Sequence, residues 1–347
     1  MDLPATLTIL SGLLMTIPPA ADPVRITVHD EVLHAVDGRI FGQFMERASW
    51  GEPGYDAARD PGQTNRLDPR VVEKLDRMNI PVIRWPAGAD LMRIDWTDTI
   101  DNAPDREGPR PAFKGRKGNP DLTNAFGLDE FLALCEELDC EPLLPVRFHP
   151  AVMNPERAAD IAREAADLVA YCNAEAGAVL PEGMPDWPAI REGNGRAAPW
   201  NIPYLQIGNE TWHYFHQALK RNDLLHADVK AKAELYLEPL RAFLHAVHRI
   251  DADIEIIIDG TTGAGRWVDQ TVLTDPVVRE HVSYYALHLY QPWGIREITR
   301  NGEPVPPDTL SGEEVWYNWV SVPDISPETG QSRLPGWPDW WLARDLD

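Results

Sequence analysis

The chain has 347 residues, 44% of them apolar and 25% charged, which is an ordinary globular balance with enough length to bury a large α/β core. A formal net charge of −23 argues against nucleic acid or an anionic membrane as partner, because both demand a basic face, and favours neutral or cationic ligands. The three cysteines, Cys135, Cys140 and Cys172, lack Cys-x-x-Cys spacing and are odd in number, so buried free thiols are expected instead of a disulfide framework.

Residues 7–17 are apolar but too short to span a membrane, and small residues follow at Pro18-Pro19-Ala20-Ala21. They resemble a signal-peptide core, although Met1-Asp2 carries no positive charge. Residues 1–21 are therefore read as a signal peptide of a secreted or periplasmic protein, with an N-terminal extension of a cytoplasmic one as the alternative. Residues 24–28 and 32–36 are short and β-branched, so 22–38 read as strands of an accessory β-sandwich. Residues 40–46 look like the first buried strand of the main domain, 39–347, and end in the carboxylate of Glu46.

A period then sets in. Asp68-Pro69 caps a helix whose Val71, Val72, Leu75 and Met78 share one face. Residues 81–86 form a strand ending in Arg84 and Trp85. Residues 95–124, rich in Pro, Gly and charge, are expected to be an exposed loop that shapes a cleft. A helix over 128–138, a strand over 142–148 and a helix over 154–173 follow. Residues 177–201 read as loop, 204–207 as strand, 227–250 as helix, 254–258 as strand, 267–280 as helical and 282–290 as strand. About six such alternations imply a parallel sheet. An incomplete (β/α)8 TIM barrel fits better than a doubly wound sheet. Polar and aromatic residues end nearly every strand, whereas a doubly wound sheet gathers its site at one switch point. No Gly-x-Gly-x-x-Gly follows the first strand, so no nucleotide cofactor is implied, and the glycine run over 260–265 comes too late to be one.

The stretch Gln206-Ile207-Gly208-Asn209-Glu210 is the centre of the pattern: an apolar strand delivers a carboxyl to the face where barrel enzymes keep their chemistry. Four histidines, His149, His213, His216 and His288, could in principle converge on a metal. Only His149 and His288 end strands, so no metal site is expected, and a metal-dependent barrel hydrolase is kept as an alternative.

The motifs Arg84-Trp85-Pro86-Ala87-Gly88, Phe126-Gly127-Leu128-Asp129-Glu130-Phe131, Tyr171-Cys172-Asn173, Arg191-Glu192-Gly193-Asn194-Gly195, Ile207-Gly208-Asn209-Glu210 and His288-Leu289-Tyr290 occur in this order. Their order and spacing resemble those of the α-L-arabinofuranosidases of glycoside hydrolase family fifty-one, over about residues 35 to 295. The resemblance implies a (β/α)8 barrel, a β-sandwich built from both ends of the chain, and retaining hydrolysis of a plant-type polysaccharide or oligosaccharide. It implies Glu210 as acid/base, Asn209 on the sugar 2-hydroxyl, Glu46 on other sugar hydroxyls, His288 and Tyr290 near the nucleophile and glycone, and Arg84 beneath the catalytic carboxylates. It implies no cofactor and a carbohydrate substrate, and says nothing of oligomeric state.

Two departures stand out. Where the family has a second glycine followed by asparagine, this chain reads Ala87-Gly88-Ala89-Asp90, so that asparagine's sugar contact is either missing or replaced, with Asp90 the candidate. A retaining glycosidase also needs two carboxyls about 5 Å apart, and the second is expected to end a seventh strand. Ser311 and Glu314 have capping-box spacing, so Glu313 and Glu314 read as the start of a helix and not as a strand end. The nucleophile is accordingly expected beyond Asp347, on a longer chain of which this is an inactive piece. A carbohydrate-binding pseudoenzyme is the other alternative. The tryptophans near the C-terminus, Trp293, Trp316, Trp319, Trp337, Trp340 and Trp341, read either as sugar platforms or as packing surface.

Overall fold

The computed structural model describes residues 35–47, 55–86, 88–115, 121–260, 266–286, 298–300 and 303–305. The leader-like stretch, nearly all of the two accessory strands, the tryptophan-rich end and the capping box at Ser311 lie outside them. Ala35 and Val36, the end of the second expected strand, are irregular. The chain divides into two units, 1–37 and 38–347, and every element below belongs to the second.

Six strands form one sheet: β1 (Gln43–Phe44), β2 (Val82–Arg84), β3 (Glu141–Val146), β4 (Tyr204–Ile207), β5 (Glu255–Asp259) and β6 (Val282–Ala286). They lie side by side in chain order and every pair is parallel. An unreversed order is the pattern of a barrel, since a doubly wound sheet turns back at its switch point. The sheet is also curled. Arg39, in the 3-10 turn Gly38–Phe41 that leads into β1, donates through Nη1 to Tyr204 Oη at 2.6 Å and to Tyr284 Oη, on β6, at 3.1 Å. In a flat sheet β1 and β6 would stand about 24 Å apart, far beyond one arginine.

Strand alternation sorts the side chains. Leu205 and Ile207 pack outward into the main core, while Tyr204 clusters inside the curl with Val82 and Ile257. The outer core is supplied by α1 (Pro69–Met78), α2 (Leu128–Glu137), α3 (His149–Met153), α4 (Ala158–Asn173), α5 (Trp187–Gly193), α6 (Trp212–Arg221), α7 (Val229–His248), α8 (Arg266–Leu273) and α9 (Pro276–His281). The three cysteines are free and buried, as expected.

Several expectations need correction. The first strand is only two residues long, and Ile40 and Phe41, expected inside, are 67% and 65% exposed. The cause is a turn at Gly42, whose N–H donates to Arg39 O at 3.0 Å. A Cβ there would stand 3.1 Å from Val82 O, so glycine lets this turn press on β2. In α1, Asp68 caps as expected, accepting from Arg70 N at 2.8 Å, but Met78 lies in the last turn and stands 55% exposed. The polar stretch 95–124 is anchored: Ile100 and Ala103 join the main core and Phe113 packs with Ile94. Arg110, paired with Glu130 at 2.7 Å, satisfies the carbonyls of Asn124 and Ala125, which is how charged sequence lies down on a core.

The expected loop 177–201 contains α5, capped by Asp186, whose carboxylate accepts from Ala189 N at 3.2 Å. The single helical stretch 267–280 is two helices, because Asp275-Pro276 starts a second, with Asp275 accepting from Val277 N at 3.0 Å. Two further strands, β7 (Ile298–Arg300) and β8 (Glu303–Val305), pair antiparallel apart from the main sheet.

Candidate active site

The candidate residues stand at the strand ends. Met45 N–H donates to Arg84 O at 2.9 Å, which extends the β1–β2 pairing and holds Glu46 at the β2 side. Glu46 Oε1 accepts from the backbone N–H of Gly88 at 3.2 Å. Arg84, at the end of β2, reaches past β3 to β4. Its Nε donates to Gln206 Oε1 at 2.9 Å and its Nη2 to Asn209 Oδ1 at 2.7 Å, while its guanidinium lies 5.0 Å over the Phe44 ring. The planar fork of arginine suits two acceptors held at fixed separation.

The turn after β4 is tightly specified. Gly208 N–H donates to Val146 O at 3.0 Å and Gly208 O accepts from Gln206 Nε2 at 2.9 Å. Gly208 has φ +89, and a Cβ on it would meet Thr211 Oγ1 at 2.6 Å, so only glycine fits. Glu210 follows in the left-handed region at φ 48 and is half-buried. Thr211 N–H then donates to Asp259 Oδ2, at the end of β5.

Glu46, Arg84, Asn209 and Glu210, named from sequence, therefore meet at one end of the curled sheet. His288 and Tyr290 lie outside the described residues. Asn209 is only 5% exposed; its Oδ1 is taken by Arg84, and its Nδ2 has no hydrogen-bond partner among the described residues. A Cβ built on Gly88 would lie 3.8 Å from that Nδ2, 3.3 Å from Glu46 Oε1 and 3.2 Å from Phe44 Cζ, so the three line one small space. A donor and an acceptor facing such a space are equipped to hold the hydroxyls of a polyol.

Asp90 is not among the atoms within 4 Å of a Cβ built on Gly88. It is fully buried and its Oδ1 accepts from Arg93 Nη1 at 3.2 Å, so it braces the segment after β2. Just before that space, Arg47 is buried in an ion pair with Asp56 at 3.0 Å and donates to Thr123 O at 2.8 Å. His149 opens α3, its ring 4.7 Å from that of Tyr214; burial, aided by Arg147, pulls its pKa down to about 4 and keeps the imidazole neutral. Among the described residues no group of three or more His, Cys, Asp or Glu side chains is placed to hold a metal ion. Gln206 and Asp259 were not singled out as site residues. The available signal was a lone amide in the apolar run Tyr204-Leu205-Gln206-Ile207, in phase with Gly208 and so on the inner face.

The alpha-L-arabinofuranosidase 1 domain family matches residues 74–292, more than half of the 347. The chain belongs to this family. Within the arabinofuranosidase domain so delimited fall Arg84, Asn209, Glu210, His288 and Tyr290, while Glu46 precedes it. The probable alpha-L-arabinofuranosidase C of Aspergillus niger is 27% identical over 292 residues, which is 78% of this chain and 50% of that protein. An intracellular exo-alpha-L-arabinofuranosidase of Bacteroides ovatus is 29% identical over 201 residues, 56% of this chain and 35% of that one. The chain thus spans about half the length, or less, of these relatives. Among solved structures, AbfB, a family 51 alpha-L-arabinofuranosidase from Bifidobacterium longum, shares the fold at TM-score 0.52 and 22% identity, over 73% of this chain and 44% of its own.

Proposed function

We propose that the protein hydrolyses α-L-arabinofuranosides of plant-type polysaccharides or oligosaccharides with retention of configuration, Glu210 acting as acid/base. The observation that carries this reading is the convergence of Glu46, Arg84 and Asn209 on the turn that presents Glu210. Arg84 takes the oxygen of the Asn209 amide and so leaves its Nδ2 directed to a sugar hydroxyl; Glu46 accepts from another. In the first step a carboxylate attacks the anomeric carbon while Glu210 gives its proton to the departing glycosidic oxygen. In the second, Glu210 takes a proton from water, and the water attacks the glycosyl ester from the opposite face.

The test is turnover of an aryl α-L-arabinofuranoside by the gene product, with the anomer of the first-formed arabinose read by proton NMR. Retention is expected, and Glu210→Ala should abolish cleavage of alkyl arabinofuranosides while leaving arabinose binding intact. Turnover of other aryl glycosides but not of this one would sink the sugar assignment. Arabinose binding without any turnover would identify a binding protein instead.

A further inference from the structure

We infer that Asp259 is a positioning residue for the acid/base, a role that rests on the reading of Glu210 given above. A non-glycine residue at φ 48 stays there only when its surroundings hold it. The turn around Glu210 is gripped on both sides. On one, Gln206 Nε2 donates to Gly208 O at 2.9 Å. On the other, the peptide immediately after Glu210 is fastened by Thr211 N–H to the Asp259 carboxylate. A charged acceptor makes the stronger bond of the two.

Asp259 is suited to this task. It is fully buried at the end of β5, whose Ile258 pairs with Ile207 on β4, and its own carbonyl accepts from the buried Tyr236 hydroxyl. The Thr211 N–H it receives stands at the start of α6, where a carboxylate is favoured by the helix dipole. The bond therefore fixes both the backbone angle of Glu210 and the point at which α6 departs. Asp259 touches Thr211 and acts on the reaction through it.

The experiment compares the wild-type gene product with its Asp259→Ala and Asp259→Asn variants, reading Thr211 amide exchange by selective threonine labelling and kcat/KM on an alkyl and a dinitrophenyl arabinofuranoside. The dinitrophenolate departs without a proton, so misplacing the acid slows the alkyl substrate selectively. Loss of the acceptor in Asp259→Ala should speed Thr211 exchange about 100-fold and lower kcat/KM for the alkyl substrate about 100-fold, with at most a few-fold loss on the aryl one. The Asp259→Asn variant keeps an oxygen acceptor of weaker pull, so both effects should shrink to about tenfold. If the alanine variant does not fold, the asparagine variant decides alone. Unchanged Thr211 exchange, or equal losses on the two substrates, overturns the inference. A wild type inactive on both substrates sinks the reading of Glu210, and with it the positioning role, even where amide exchange shows that Asp259 holds the turn.

Discussion

The backbone N–H of Gly88 donates to Glu46 Oε1, so the segment after β2 and the carboxylate after β1 form one wall of the site. Because a Cβ on Gly88 would stand 3.2 Å from the Phe44 ring and 3.3 Å from Glu46 Oε1, a methyl group there takes space from the sugar more than from the core. Gly88→Ala is expected to raise KM for the arabinofuranoside about tenfold, or ~1.4 kcal/mol, with kcat little changed. Michaelis kinetics check it, and a fall in kcat at constant KM would refute this placement of Gly88.

Arg84 should not tolerate lysine. Its Nε and Nη2 serve Gln206 and Asn209 together, and an ammonium cannot reproduce that fork. Arg84→Lys is expected to lower kcat/KM roughly 100-fold, about 2.7 kcal/mol. Equal activity of the lysine variant would show that charge alone is needed.

Arg47 is a stability residue beside Glu46, which we propose binds the sugar. Its side chain is 1% exposed and that of its partner Asp56 3% exposed, so Arg47→Met leaves a buried carboxylate with only the more distant Arg59, 4.0 Å away. A loss of about 3–5 kcal/mol is expected in urea denaturation. Because Arg47 follows Glu46 directly, the same variant should weaken arabinose binding even where it remains folded.

Stability should respond to pH through two opposed groups. Burial, only partly countered by the Tyr171 hydroxyl that donates to both of its oxygens at 2.8 Å, pushes the Asp129 pKa from 3.8 up to about 6. The folded state thus binds the proton more tightly than the unfolded one, and this contribution is full below pH 3.8 and lost as pH rises through about 6. His149 runs the other way: its pKa falls from 6.5 to about 4, so its contribution is full above 6.5 and lost as pH falls through about 4. Between pH 4 and 6 the two slopes offset each other. Asp129→Asn removes one, and urea titrations of that variant should show stability rising with pH across this window more steeply than wild type.

How much of this was legible in sequence depended on what held each element. β4, α2, α4 and α7 are read correctly because each buries a continuous apolar face, and hydrophobic period reports that directly. The first strand is misjudged because Ile40 and Phe41 obey strand composition while a turn at Gly42 and the contact of Arg39 with Tyr204 and Tyr284 decide their fate. The stretch 95–124 is misjudged for the opposite reason, since its anchors are few and its arginines bond to distant carbonyls. At the site, Glu46, Arg84, Asn209 and Glu210 were legible as residues that end strands or follow them. Gln206 and Asp259 were legible only in part: a lone amide in an apolar run marks the first and a strand end the second, but their roles are hydrogen bonds to the turn after β4 and to the arginine across the sheet, which a linear chain does not show.

The left-handed backbone of Glu210 bears on how this protein would behave under directed evolution. At φ 48 glycine or asparagine is the more comfortable occupant, by about 0.5–1 kcal/mol. A library screened only for heat resistance would therefore enrich Glu210→Gly and Glu210→Asn, and on the role proposed for Glu210 its winners would lose glycosides whose leaving group needs a proton. Selection for survival and selection for turnover pull this one codon in opposite directions, so a thermostability campaign needs position 210 held constant from the start.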